Sequence, residues 1–187
     1  MGADEPDALP DLPAWAVMTP SRRAHVARVV ALVGTWARAM RVPPAEAARW
    51  RRAAVLHDAL RDAPLDELRA LVPGCEWPRA LLHGPAAAAR AAAEGEQDTG
   101  VLDAVAFHTV GCSEWDHVGR VLYCADWLEP GRAHDGERRG ELARAFPASP
   151  EQVLREVAAR RVAWVVESGW PLIPETVAWW NSLVAAR

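Results

Sequence analysis

The chain has 187 residues, 51% of them hydrophobic and 25% charged, with a formal net charge of −4. That is the composition of a globular domain rather than a disordered chain, and the negative balance excludes nucleic-acid binding by phosphate neutralisation. All 21 basic residues are arginine, so any phosphate contact must come from guanidinium groups, which bind oxyanions as a bidentate fork.

Residues 1–20 carry four prolines and no hydrophobic period, and are expected to be an irregular lead-in to one domain over 21–187. This acidic, proline-broken stretch is unlike a secretory leader. No run of about 18 apolar residues predicts a membrane span. The cysteines, Cys75, Cys112 and Cys124, are scattered and include no CxxC, which fits a reducing compartment. A cytoplasmic protein with no membrane and no nucleic-acid partner is expected.

From Ser21 the period is helical. SRRAHVARVVALVGTWARAM repeats apolar residues at Val26, Val29, Val30 and Val33, with Ser21 as the expected cap. VPPAEAARWRRAAVLHDALRDAP predicts a second helix, with Pro44 near its start and Pro64 ending it. LDELRALV is a short helix. LLHGPAAAARAAAEG has a Gly-Pro start and ends at Gly95, and TGVLDAVAFHTVG is closed by Gly111. EWDHVGRVLYCADWLEPGR stops at Pro130, and GRAHDGERRG reads as a charged, solvated loop. SPEQVLREVAARRVAWVVESGW begins at a Ser-Pro cap, and PETVAWWNSLVAAR is a terminal helix. No alternation of period two competes, so the expected fold is all-α.

Polar residues sit where this pattern calls for apolar ones. His25 lies beside the apolar face of the first helix, and His57 and Asp58 fall among Ala53, Ala54, Val55, Leu56 and Leu60. His83 follows Leu81 and Leu82, and His108 lies on the Val101–Val105 face. Asp126 falls four residues after Leu122 and eight after Val118. A buried lone carboxylate costs several kcal/mol unless it is paired or bound to a metal. Four histidines and two aspartates from different helices would resolve this by converging on cations. A single histidine on such a face is ordinarily a core or cap residue, and His117, in a polar helix start, and His134, in the charged loop, are read that way. The tryptophans, Trp179 and Trp180 included, are read chiefly as core, and Cys112 and Cys124 as small buried fillers.

The order His…His-Asp…His…His…Asp resembles the HD-domain metal-dependent phosphohydrolases. Arg22-Arg23-Ala24-His25 resembles an opening RxxH, LLHGPAAAA a histidine before a Gly-Pro helix start, and AFHTVG an H-T-x-G. VLYCADWLEPGR resembles A-D-x-x-E-P-x-R, and LIPETVAWWN a proline-threonine-asparagine ending. The set, from about Arg22 to Asn181, is similar to the YqeK-type HD proteins, the symmetrical diadenosine tetraphosphate hydrolases of bacteria. The resemblance implies a single HD-domain helical bundle with a metal site between helices. Its ligands would be His25, His57, Asp58, His83, His108 and Asp126, holding two divalent ions, iron first with manganese or zinc as alternatives, and Asp58 bridging them. It further implies nucleotide contacts from Arg132 and from the turn at Pro174, Glu175 and Thr176, with His25, His83 and His108 lining both cation and nucleotide. The sequence departs from the family where Arg61 replaces a lysine after the HD pair, and in its alanine-rich third element.

The implied reaction is attack of a hydroxide bridging the two cations on phosphorus, giving two ADP from diadenosine tetraphosphate. Asp58, Asp126, His83 and His108 would carry it, with Arg61 or Arg132 stabilising the leaving ADP. Arg61 paired with Asp62, and Arg132 capping carbonyls after Pro130, are the plainer alternatives. Three functions stay open: this hydrolase, an HD nucleotidase or phosphodiesterase on another nucleotide, and a nucleotide-binding regulator with little turnover. The expected partner is a small dinucleoside polyphosphate, and a homodimer is compatible with the chain.

Overall fold

A computed structural model describes residues 11–132 and 135–185. Among the described residues the regular structure is all helical: α1 Pro20–Ala39, α2 Pro44–Leu56, α3 Leu65–Leu71, a 3₁₀ turn Arg79–Leu81, α4 His83–Ala93, α5 Thr99–Phe107, α6 His117–Leu128, α7 Gly136–Ala145, α8 Pro150–Glu167 and α9 Pro174–Ala185. None of these helices is long and apolar enough to cross a membrane.

The centre of the bundle is α6. It buries Val118, Val121, Leu122, Tyr123, Ala125 and Leu128, which lie all round the helix rather than along one stripe, and so needs partners on every side. α1, α2, α5, α7 and α8 supply them, and α4 packs on α5. Gly84, in the first turn of α4, permits that last approach: a Cβ there would stand 2.7 Å from the Ala106 carbonyl oxygen. His83 is thereby brought against the end of α5.

Four local expectations are corrected: the cap of α1, the end of the second helix, the charged loop and the burial of Cys112. The cap of α1 is Thr19, whose hydroxyl accepts from the Arg22 amide, with Pro20 in the first turn. The end of the lead-in is anchored, because Val17 N–H donates to the Ala59 carbonyl at 2.8 Å and Thr19 N–H to Asp62 Oδ2 at 2.8 Å. The second helix stops at Leu56, and residues 57–62 continue as tight turns closed by Ala59 N–H to Leu56 O and Arg61 N–H to Asp58 O. The second half of the expected charged loop is the first half of α7, whose Arg139 is buried with its guanidinium 4.2 Å from the Trp127 ring centroid. His134 lies outside the described residues, as do 1–10 of the lead-in. Trp179 is core, packed edge-to-face on Trp115 and Tyr123. Cys124 is buried, whereas Cys112 is only half-buried.

Candidate metal centre

Three of the four candidate histidines stand at helix ends, and that placement orients them. The last four carbonyls of an α-helix have no partner within it. His57, capping α2, donates Nδ1–H to the Ala54 carbonyl at 2.8 Å, and His108, capping α5, to Val105 at 2.8 Å. His83, opening α4, donates to Ala80 of the 3₁₀ turn at 3.1 Å. A carbonyl can only accept, so Nδ1 carries the proton in all three and Nε2 is left with a lone pair. His25, from α1, places Nδ1 3.1 Å from Glu129 Oε1 and Nε2 3.1 Å from Asp126 Oδ1.

The Nε2 atoms converge in two buried groups, His25–His57–Asp126 and Asp58–His83–His108. Nε2 of His25 and His57 are 3.3 Å apart, and those of His83 and His108 are 3.2 Å apart. Asp58 joins the groups. Its Oδ2 lies 3.6 Å from His25 Nε2 and 3.5 Å from His57 Nε2, and its Oδ1 lies 3.1 Å from His83 Nε2 and 3.7 Å from His108 Nε2.

These contacts fit cations. With Nδ1 protonated, His83 Nε2 turns its lone pair toward the His108 lone pair and the Asp58 oxygen, and each contact repels unless positive charge lies between. Two nitrogens each about 2.0–2.1 Å from one ion at near-tetrahedral angles are themselves about 3.3 Å apart. Four imidazoles with two carboxylates form a donor set suited to iron, manganese or zinc.

The surroundings hold the aspartates ionised. Burial by itself would raise Asp126, yet Arg132, His25 and Arg161 keep it well below the ordinary carboxylate range. Burial likewise opposes the ionised form of Asp58, yet its carboxyl stays well below the ordinary carboxylate range. Burial lowers His57 to about 4, so this imidazole is neutral. In His25 burial is overcome by the bonds to Asp126 and Glu129, which raise it to about 9. Glu129 is held at about 2 against its burial by His25 and Arg28.

Beside the groups opens a cleft of about 1240 Å³. Asp58, His83, His108 and Asp126 form its floor, and Arg22, Arg61, Arg132 and Arg161 stand around them. Arg61 does not pair with Asp62 but donates to the Ala80 carbonyl at 2.9 Å, with Nη1 3.3 Å from His83 Nδ1. Arg132 donates to both Asp126 O at 3.0 Å and Asp126 Oδ1 at 2.7 Å. Of the expected terminal turn, Thr176 lines the cleft. Pro174 is exposed, and Glu175 accepts from Trp77 Nε1 at 3.4 Å. His117 is an exposed first residue of α6.

Sequence reasoning misses the outer partners. Glu129 stands in the quoted LEPGR and orients His25, while also accepting from Arg28 Nε at 2.5 Å and Gly131 N–H at 2.7 Å. Arg22, quoted only as part of RxxH, donates to Asp58 Oδ2 at 2.7 Å. Arg161 donates to Asp126 Oδ2 at 2.5 Å and the His108 carbonyl at 2.7 Å, its guanidinium 4.2 Å from the Tyr123 centroid. The signal was its register: it continues the stripe of Leu154 and Ala158 on the buried face of α8.

The sequence profile of the HD domain matches residues 22–131, a span containing all six grouped residues. The chain is similar to the symmetrical bis(5'-nucleosyl)-tetraphosphatase of Bacillus subtilis (strain 168), 28% identical over 141 residues, covering 71% of this chain and 75% of that protein. A protein of the same description from Staphylococcus aureus (strain NCTC 8325 / PS 47) is 26% identical over 133 residues, covering 67% and 69%. Among solved structures, the fold is similar to one from Clostridium acetobutylicum described as a predicted HD superfamily hydrolase involved in NAD metabolism. There the TM-score is 0.78 at 24% identity, covering 91% of this chain and 92% of that one.

Proposed function

The chain belongs to the HD-domain family, and on that premise we propose that it is a metal-dependent hydrolase splitting diadenosine tetraphosphate symmetrically into two ADP. The observation that carries this reading is the pair of buried His/Asp groups joined through Asp58 on the floor of an arginine-walled cleft. The relatives described as symmetrical bis(5'-nucleosyl)-tetraphosphatases support the substrate.

Divalent cations held by His25, His57, Asp58, His83, His108 and Asp126, iron first with manganese or zinc as alternatives, would supply an activated water and offset phosphate charge. The chain supplies the rest. Asp58 offers one oxygen to each group, and the bonds at Nδ1 keep the imidazoles aimed. Arg61 and Arg132 stand where they meet a polyphosphate entering the cleft and offset charge on the departing diphosphate. Arg61 thus gives the charge of the expected lysine as a fork that cannot release a proton. Thr176 offers a hydroxyl to the nucleotide. The three free cysteines support a cytoplasmic setting.

Product analysis tests the reading. Anaerobically purified, metal-replete protein should convert diadenosine tetraphosphate to ADP alone. AMP plus ATP, or equal turnover of unrelated nucleotides, would instead make it a broader HD nucleotidase. Binding without turnover would make it a regulator.

A further inference from the structure

Two tryptophans escape the packing that claims the others. Trp36, Trp50, Trp115 and Trp179 are at most 5% exposed, whereas Trp164 is 47% and Trp170 53% exposed. Both line the cleft that has the His/Asp groups on its floor.

Their positions are built by α8 and its end. Arg161, Trp164 and Glu167 succeed one another at a spacing of three along the wall of the cleft. With a rise of about 1.5 Å per residue, Trp164 stands about 4.5 Å beyond Arg161 along the axis and Glu167 about 9 Å beyond it. The helix closes with Gly169 N–H donating to Val166 O at 3.0 Å and Trp170 N–H to Val165 O at 3.1 Å. This reversal requires Gly169 at φ +70, a conformation costly for other residues. It folds Trp170 back on Trp164, with centroids 5.7 Å apart at 67°. An edge-to-face pair leaves ring faces open.

The cleft therefore changes character along its length. Around the His/Asp groups it presents arginines suited to phosphate, and beyond Arg161 along α8 it presents two half-exposed indoles with a carboxylate, Glu167, beside them; Arg160, which also lines it, is held by Glu156 and Asp135. A phosphate is repelled by that carboxylate, whereas a purine base stacks on an indole and offers ring or exocyclic N–H donors to an acid. We propose that Trp164 and Trp170 form a stacking site for a purine base of the nucleotide whose phosphates lie over the arginines, a site that rests on the nucleotide reading above.

The test compares a ligand with a base and one without. Calorimetric titration of the Mn²⁺-loaded full chain with ADP and with inorganic tripolyphosphate should show Trp164→Ala and Trp170→Ala each weakening ADP by about tenfold. Tripolyphosphate affinity should stay constant, and Trp164→Phe and Trp170→Phe should recover most of the ADP affinity. Equal weakening of both ligands, or of neither, would overturn the base site. So would a sedimentation shift showing that the pair joins two copies of the chain. If ADP binding depends on the indoles but diadenosine tetraphosphate is not cleaved, the substrate reading falls and the base site stands. If cleavage yields ADP while the variants bind ADP as the wild type does, the reverse holds. A wild type that binds no ADP overturns both.

Discussion

His25 shows how much of the centre is set outside the groups themselves. Its Nε2 meets Asp126 only because Nδ1 is held by Glu129, itself fixed by Arg28 and the Gly131 amide. Such outer partners commonly affect metal affinity by about 10–100-fold when removed. Glu129→Gln keeps the side-chain shape and avoids a cavity, and the half-exposed Arg28 can still be solvated. Its expected effect is a drop of about 10–100-fold in affinity for Mn²⁺ or Fe²⁺ with helix content unchanged, read by competition with a chromogenic chelator. Wild-type affinity in that variant would show that His25 needs no such anchor. Arg161 holds Asp126 Oδ2 in the same way and leaves Oδ1 toward His25.

Among the elements, three helices that carry candidate ligands are tied far from them by one residue. Arg49 of α2 donates to Asp98 at 2.6 Å and to Asp116 at 2.7 Å, and these aspartates cap the first turns of α5 and α6. It also meets Glu46 at 2.8 Å. Removing it leaves three carboxylates facing one another, a loss of about 1–2 kcal/mol that lowers the melting midpoint by about 3–6 °C. The bond from Arg49 holds Asp98 below its ordinary value of 3.8. A depressed carboxylate contributes stability that is whole above its unfolded value and fades as pH falls through the folded one. The midpoint gap between wild type and Arg49→Ala should therefore be full at neutral pH and narrow as pH is taken below about 4. A gap constant across that range would contradict the assigned partner. Legibility follows the same logic of local against distant contacts. The ends of α4 and α5 were readable because Gly95 and Gly111 punctuate them, and both take positive φ. The end of α2 was not, since Ala59 and Leu60 are buried and prolong its apolar run, while a carbonyl captured by His57 ends the helix. Nor was α7, which is made of charges and is held by the distant contact of Arg139 with Trp127.

For the molecule as a whole, the centre is a concession in an otherwise apolar interior. His57, Asp58, His83, His108 and Asp126 are all buried beside residues such as Leu56, Leu60, Val105 and Leu122. The six candidates were readable because polar residues interrupted apolar helix faces in the family's order. The arginines and Glu129 that complete them were not, because their partners lie far along the chain. The facing lone pairs of His83 and His108, 3.2 Å apart, cost stability that a cation would return. A ligand bound only by the native state stabilises it by about 2.7 kcal/mol at a hundred times its dissociation constant, which for a chain of this size is about 5–10 °C in midpoint. Chelator-treated protein should therefore keep its far-ultraviolet helix signal yet melt about 5–10 °C below the same protein resupplied anaerobically with Fe²⁺ or Mn²⁺. Asp58→Asn removes the carboxylate charge that both groups share, so in that variant the metal-dependent increment should vanish. Equal midpoints for the wild type with and without excess metal would mean that the two groups hold no cation, and that the buried aspartates are balanced by the arginines alone.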